Sequence, residues 1–128
     1  MGAAPATRLE VALSDLRSGA GSVRLCLTRN PAHFPDCSDD PAAWRLTAPA
    51  AATGNLSFAN LPSGTYALAV LHDENGNGRL DTFAGIPREG FGFSRNPVLR
   101  FGPPRFDQVR FMLGTGGTGQ YVRMKYML

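Results

Sequence analysis

Apolar and polar side chains alternate with a period of two along most of the chain. Leu9, Val11 and Leu13 share one face of residues 8–13, and Arg8, Glu10 and Ala12 the other. Successive side chains of a strand point to opposite sides of a sheet, so this pattern predicts a half-buried strand. Residues 22–28 repeat it with Val23, Leu25 and Leu27 inward, which puts Cys26 outward beside Arg24 and Thr28. Trp44–Leu46 and Leu56–Phe58 read as short strands flanking the small-residue tract 48–54. Thr65–Leu71 is the most apolar segment, with Tyr66, Leu68 and Val70 on one face and Ala67 and Ala69 on the other. Small residues on a second face predict a central strand against which something packs closely. Val98–Phe101 reads as a brief strand. Residues 107–113 alternate with Val109, Phe111 and Leu113 inward, and residues 120–127 close the chain with Val122, Met124 and Tyr126 on one face.

Between these runs lie turn and loop signals. Residues 31–43 are rich in Pro and Asp and predict irregular chain with a helical turn near Asp40–Ala43. Leu61–Gly64 reads as a turn, and the glycines and proline of Gly85–Ser94 predict no regular structure there. Gly114–Gly119 lacks the GK[ST] ending of a phosphate loop and reads only as a link. Seven or eight strands without a long amphipathic helix predict an all-β chain, a single antiparallel β-sandwich of immunoglobulin-like type. The domain is expected over residues 7–128, with residues 1–6 a disordered start left after leader removal.

At 128 residues the chain is long enough for one hydrophobic core. Its net charge of +3 comes from twelve arginines and one lysine against ten acidic residues. The arginines are scattered singly, without the basic run or stacking aromatics of a nucleic-acid surface, so nucleic acid is not an expected partner. No segment approaches the roughly 20 apolar residues that span a bilayer, so membrane insertion is not expected.

The chemistry concentrates in His72-Asp-Glu-Asn-Gly-Asn-Gly-Arg-Leu-Asp81. Asp73, Asn75, Asn77 and Asp81 fall at positions 1, 3, 5 and 9 of a calcium loop, Gly78 at the sharp turn, and the Arg79 carbonyl at position 7. A hard cation needs several oxygens converging from a short segment, and alternate residues around a glycine turn supply them. Position 12, where a bidentate Glu belongs, is Ala84. The remaining ligand is expected from water, Asp81 itself, or a distant group such as Glu89 or Asp107. So few carboxylates predict weak calcium binding, with dissociation constants of roughly 10⁻⁴ to 10⁻³ M. The competing reading is a plain hairpin, since Asn75-Gly76 and Asn77-Gly78 are both strong turn dipeptides.

Cys26 and Cys37 are separated by ten residues with no CxxC spacing. A disulfide is the preferred reading over a site that includes His33, and it implies an oxidising compartment, periplasmic or secreted. His72 with Glu89 or Ser94 offers a general base for a small hydrolase. The preferred alternative is a structural histidine bonded to a loop backbone. Phe91 and Phe93 are candidates for a platform that binds a sugar or peptide, against the plainer role of capping one end of the core.

The run Leu61-Pro-Ser-Gly-Thr-Tyr-Ala-Leu-Ala-Val-Leu-His-Asp-Glu-Asn-Gly-Asn-Gly-Arg-Leu-Asp81, followed by Gly85-Ile-Pro-Arg-Glu-Gly-Phe-Gly-Phe-Ser94, closely resembles the bacterial domain-of-unknown-function family numbered 2141. The likeness extends from Leu9 to Tyr126 and implies an exported β-sandwich without a known activity. The Leu61–Tyr66 turn also resembles that of transthyretin-like and carboxypeptidase-regulatory-like sandwiches, over about ten residues, and bears on fold alone. An enzymatic branch of the transthyretin-like fold ends in a tyrosine-arginine-glycine-serine tail. This chain ends Tyr126-Met127-Leu128, so that activity is not implied. The expected role is a non-catalytic module with a calcium loop at 73–81 ordering the 85–94 segment for an unknown protein or carbohydrate ligand. The alternatives are the His72/Glu89 hydrolase and a purely structural domain without metal.

Overall fold

A computed structural model describes residues 7–34, 40–76, 82–83, 86–87, 89–98 and 103–127. Its strands are β1 (Thr7–Ser14), β2 (Ser22–Thr28), β3 (Trp44–Pro49), β4 (Leu56–Leu61), β5 (Gly64–Asp73), β6 (Thr82–Phe83), β7 (Ile86–Pro87), β8 (Gly90–Phe93), β9 (Phe111–Leu113) and β10 (Thr118–Arg123). They form a three-stranded sheet in the order β10-β1-β4 and a five-stranded sheet in the order β3-β2-β5-β8, with β9 also on β5. β6 and β7 pair as a separate two-stranded ribbon. The chain is all-β, as its periodicity predicts.

β5 organises the five-stranded sheet. It pairs antiparallel with β2 along one edge and with β8 and β9 along the other. Tyr66, Leu68 and Val70 enter the main apolar cluster with Val23, Leu25 and Leu27 of β2. Leu9 and Val11 of β1 and Leu56, Phe58 and Leu61 of β4 belong to the same cluster, so both sheets feed one core. On the other face of β5, Ala67 and Ala69 lie beneath Phe93 and Val109, with Phe34, Phe91 and Phe106 around them. The small side chains predicted a closely packed second face, and these rings occupy it. In β4 the register slips by one residue against β1, with Asn60 at φ 58°. That bulge lets Leu61 point inward alongside Phe58.

Four expectations change. The fold is mixed, not purely antiparallel, because β10 runs parallel to β1 with Leu9 opposite Thr118 and Leu13 opposite Val122. Parallel neighbours cannot be joined by a tight turn, and here most of the chain intervenes between them. Residues 107–109 are not strand: Phe106–Val109 form one helical turn, α1, closed by Arg110 N–H donating to the Phe106 carbonyl at 2.9 Å. Val109, Phe111 and Leu113 are nevertheless all buried, since a single turn puts Phe106 and Val109 on one side before β9 resumes the alternation. Val98 lies outside any strand and is 74% exposed, while residues 99–101 fall outside the described residues.

The fourth change concerns Gly90–Phe93, which is strand and not irregular chain. Its glycines serve close approach. A Cβ on Gly90 would run into the Tyr126 ring, and one on Gly92 would stand 2.5 Å from Val122 Cγ1. The C-terminal segment therefore lies directly against the face of β8 that glycine leaves bare. Replacing Gly92 with Ala forces Val122 out of place, and the variant is expected to lose about 1–3 kcal/mol in urea unfolding.

Candidate functional site

The last residues of β5 carry polar groups into the interior. His72 is fully buried, and its Nε2–H donates to the Ala20 carbonyl at 2.8 Å. A carbonyl only accepts, so Nε2 carries a proton, and Nδ1 pairs with the Tyr126 hydroxyl at 2.7 Å. The same hydroxyl accepts the Arg17 N–H at 3.2 Å. The Arg17 guanidinium lies 4.5 Å over the Tyr126 ring and binds the Glu74 carboxylate, with Nε at 3.0 Å. Ser18 Oγ donates to the other Glu74 oxygen at 2.8 Å. The 15–21 loop, the end of β5 and the C-terminal segment are thus tied at one corner.

The electrostatics agree with this geometry. The Arg17 hydrogen bond, aided by Ser18, holds the Glu74 carboxyl below its ordinary pKa although burial opposes it. Glu74 in turn raises Arg17. Burial pushes the Tyr126 phenol upward. Elsewhere, Asp40 accepts from Thr28 Oγ1 at 2.7 Å and from the Ala42 N–H at 2.9 Å, and the Thr28 bond leads in lowering its pKa.

Asp73 points to the opposite face from His72. It is fully buried, with Arg24 Nε 3.6 Å from Oδ2. Its carbonyl accepts the Gly76 N–H at 3.4 Å and begins the turn that Asn75 and Gly76 predict. Asn75 is exposed. Asn77, Arg79 and Asp81 lie outside the described residues. Glu89, a candidate from outside the loop, is only 4% exposed. β5 and β8 pair Leu71 with Phe91 and His72 with Gly90, so Asp73 and Glu89 are the residues next to the last pair of that register. Among the described residues no group of three or more His, Cys, Asp and Glu side chains is placed to hold a metal.

The remaining candidates fall as follows. Cys26 is half-buried on β2 and is not a free thiol, while Cys37 lies outside the described residues. His33 ends a single 3₁₀ turn at Pro31–His33. Phe93 is buried in the second apolar cluster, and the partly buried Phe91 packs against it. Ser94 donates to the Val109 carbonyl at 2.6 Å and accepts the Leu68 N–H at 3.1 Å, which locks α1 to β5. The structure joins His72 to neither Ser94 nor Glu89. The backbone-bonded histidine is the arrangement found. Tyr126, Arg17, Ser18 and Glu74 escaped the sequence reading as a site because their contacts span 52 to 109 residues and follow no local spacing. Glu74 occupies position 2 of the calcium loop, a position without a ligand role.

Comparison with known proteins adds a family and no activity. Residues 11–120 match the model of a family described as "Uncharacterized protein conserved in bacteria (DUF2141)". No curated protein and no solved structure matches the chain. Among the described residues no helix is long and apolar enough to cross a membrane.

Removing the Tyr126 hydroxyl leaves the buried Nδ1 of His72 without its hydrogen-bond partner, so Tyr126→Phe is expected to cost about 1–3 kcal/mol in denaturant unfolding. The carboxyls of Glu74 and Asp40 are both held below their ordinary values of 4.5 and 3.8. Their stabilisation is complete above those values and disappears as pH falls through the lower folded-state pKa values. Glu74→Gln should lower stability at neutral pH by about 1 kcal/mol and flatten the acid limb of a stability–pH curve.

Proposed function

The chain belongs to the DUF2141 family, and on the geometry of its β5–β8 corner we propose an exported, non-catalytic β-sandwich module that binds one calcium ion in its 73–81 loop. The ion orders the adjoining 85–94 segment for a protein or carbohydrate partner. The observation that carries this reading is the burial of two carboxylates where the oxygen-rich loop leaves β5: Asp73 ends that strand, and Glu89 immediately precedes its partner β8. Glu89 then supplies from across the strand pair the acidic ligand that Ala84 cannot supply at position 12. Asn75, Asn77, the Arg79 carbonyl and Asp81 complete the oxygen set. Arg24 beside Asp73 already brings positive charge to this place, and it is the cation that a dication would displace in part.

The supply of apolar side chains from both sheets to one core supports the sandwich reading. Cys26 is not a free thiol, and Cys37 is the one other cysteine in the chain. Both facts support a Cys26–Cys37 disulfide and an oxidising compartment. A hydrolytic role for His72 would require it to give up one of its two hydrogen bonds and to reach solvent from a fully buried position. The binding reading is therefore the better supported.

Calorimetric titration of chelator-treated protein should give calcium binding with a dissociation constant of roughly 10⁻⁴ to 10⁻³ M, weaker for magnesium. Calcium at about a hundredfold excess over that constant should stabilise the fold by about 2.7 kcal/mol. Asp73→Asn and Glu89→Gln should each weaken binding by about tenfold or more, a loss of about 1.4 kcal/mol. The absence of both heat and a melting shift in excess calcium would overturn the reading. Reduction of the disulfide should lower stability by about 2–3 kcal/mol, read from paired melts with and without reductant.

A further inference from the structure

β10 closes the three-stranded sheet, with β1 on one side and no strand of that sheet on the other. On the β1 side the Met124 N–H donates to the Ser14 carbonyl at 2.9 Å. Peptide groups of alternate residues point the same way along a strand, so those of Tyr121, Arg123 and Lys125 point outward. Lys125 exchanges both backbone bonds with Phe91 of β8, at 2.8 and 3.0 Å. Just before it, Asn96 Nδ2 donates to the Tyr121 carbonyl and Asn96 Oδ1 accepts the Arg123 N–H, each at 2.8 Å. A carboxamide offers the same donor and acceptor as a peptide group. Bridging the carbonyl of one residue and the N–H two residues later is what a residue of a parallel neighbouring strand does.

This placement is held at a conformational cost. Arg95 and Asn96 have φ of 67° and 47°, a region asparagine tolerates and arginine does not favour. The turn is secured by the Asn96 N–H donating to the Phe93 carbonyl at 3.1 Å and by Lys125 Nζ donating to the Pro97 carbonyl at 3.0 Å. Two large apolar side chains stand exposed beside it: Tyr121 at 79%, and Val98, two residues beyond Asn96, at 74%. An open strand edge flanked by such side chains is a template for pairing with another chain.

We propose that Asn96 is a side-chain substitute for a missing strand, and that it keeps the β10 edge from pairing with β10 of a second copy of this chain. The segment is self-compatible. Antiparallel pairing about Tyr121 sets each Arg123 opposite a Gly119, so no like charges meet. Withdrawal of the carboxamide exposes the Tyr121 carbonyl and the Arg123 N–H together.

Three substitutions separate the contributions. Asn96→Gly keeps a positive φ accessible while removing the carboxamide, Asn96→Ala removes it and adds strain, and Asn96→Asp keeps the acceptor for Arg123 but loses the donor for Tyr121. The wild-type protein should be monomeric with a protected Arg123 amide. At dilutions where Asn96→Gly and Asn96→Ala are monomeric, that amide should exchange up to about tenfold faster. Sedimentation should then show a concentration-dependent dimer, with Asn96→Asp in between. Unchanged Arg123 protection in monomeric Asn96→Gly would overturn the proposal. So would lost protection in a variant that stays monomeric at every concentration, or a wild-type dimer paired through β10.

Discussion

A strand buried on both faces needs apolar partners above and below it and hydrogen-bond partners along both edges. β5 meets all four requirements, and most of the other elements are placed by doing so. Tyr66, Leu68 and Val70 demand a core contributed by both sheets, which β1, β2 and β4 supply. Ala67 and Ala69 demand a shallow covering on the other side, which Phe93, α1 and the Phe34 ring supply. Ser94 joins the two requirements, since one hydroxyl binds the backbone of β5 and that of α1.

The same strand then delivers its polar end to the site. Because side chains alternate, consecutive residues His72 and Asp73 are sent to opposite faces and acquire separate partners. His72 meets the C-terminal segment, and it can do so because β8 carries glycine at the position opposite it. Asp73 meets Arg24. The structural tie and the proposed ion site are therefore two faces of one strand end. Disturbing either alters the backbone that the other depends on.

Much of this was legible in the residues. The alternation in β1, β2 and β5 named the inward positions correctly, and the paired alanines foretold the close packing over the central strand. His72 bonded to a loop carbonyl was the preferred alternative and is what the structure contains. What was not legible depends on contacts distant in sequence. Gly90 and Gly92 look like strand breakers until the Tyr126 ring and Val122 are known to lie on them. The direction of β10 follows from which strand it meets, not from its own pattern. The turn at Phe106–Val109 buries Val109 in the second cluster, while the strand at 111–113 sends Phe111 and Leu113 into the main core, so a period of two described the burial while missing the geometry. The Arg17–Glu74–Tyr126 tie has no local signature at all.

The parallel seam between β1 and β10 has a consequence in time. Leu9 stands opposite Thr118, so more than a hundred residues must be in hand before that seam can close. Loop-closure entropy makes such distant pairing slow, and contacts of long sequence separation are gained late in folding. Until Val122 arrives, the apolar side of β1 has β4 beside it and nothing on its other flank. A chain emerging from a ribosome would therefore carry that flank uncovered until residues 118–123 had followed.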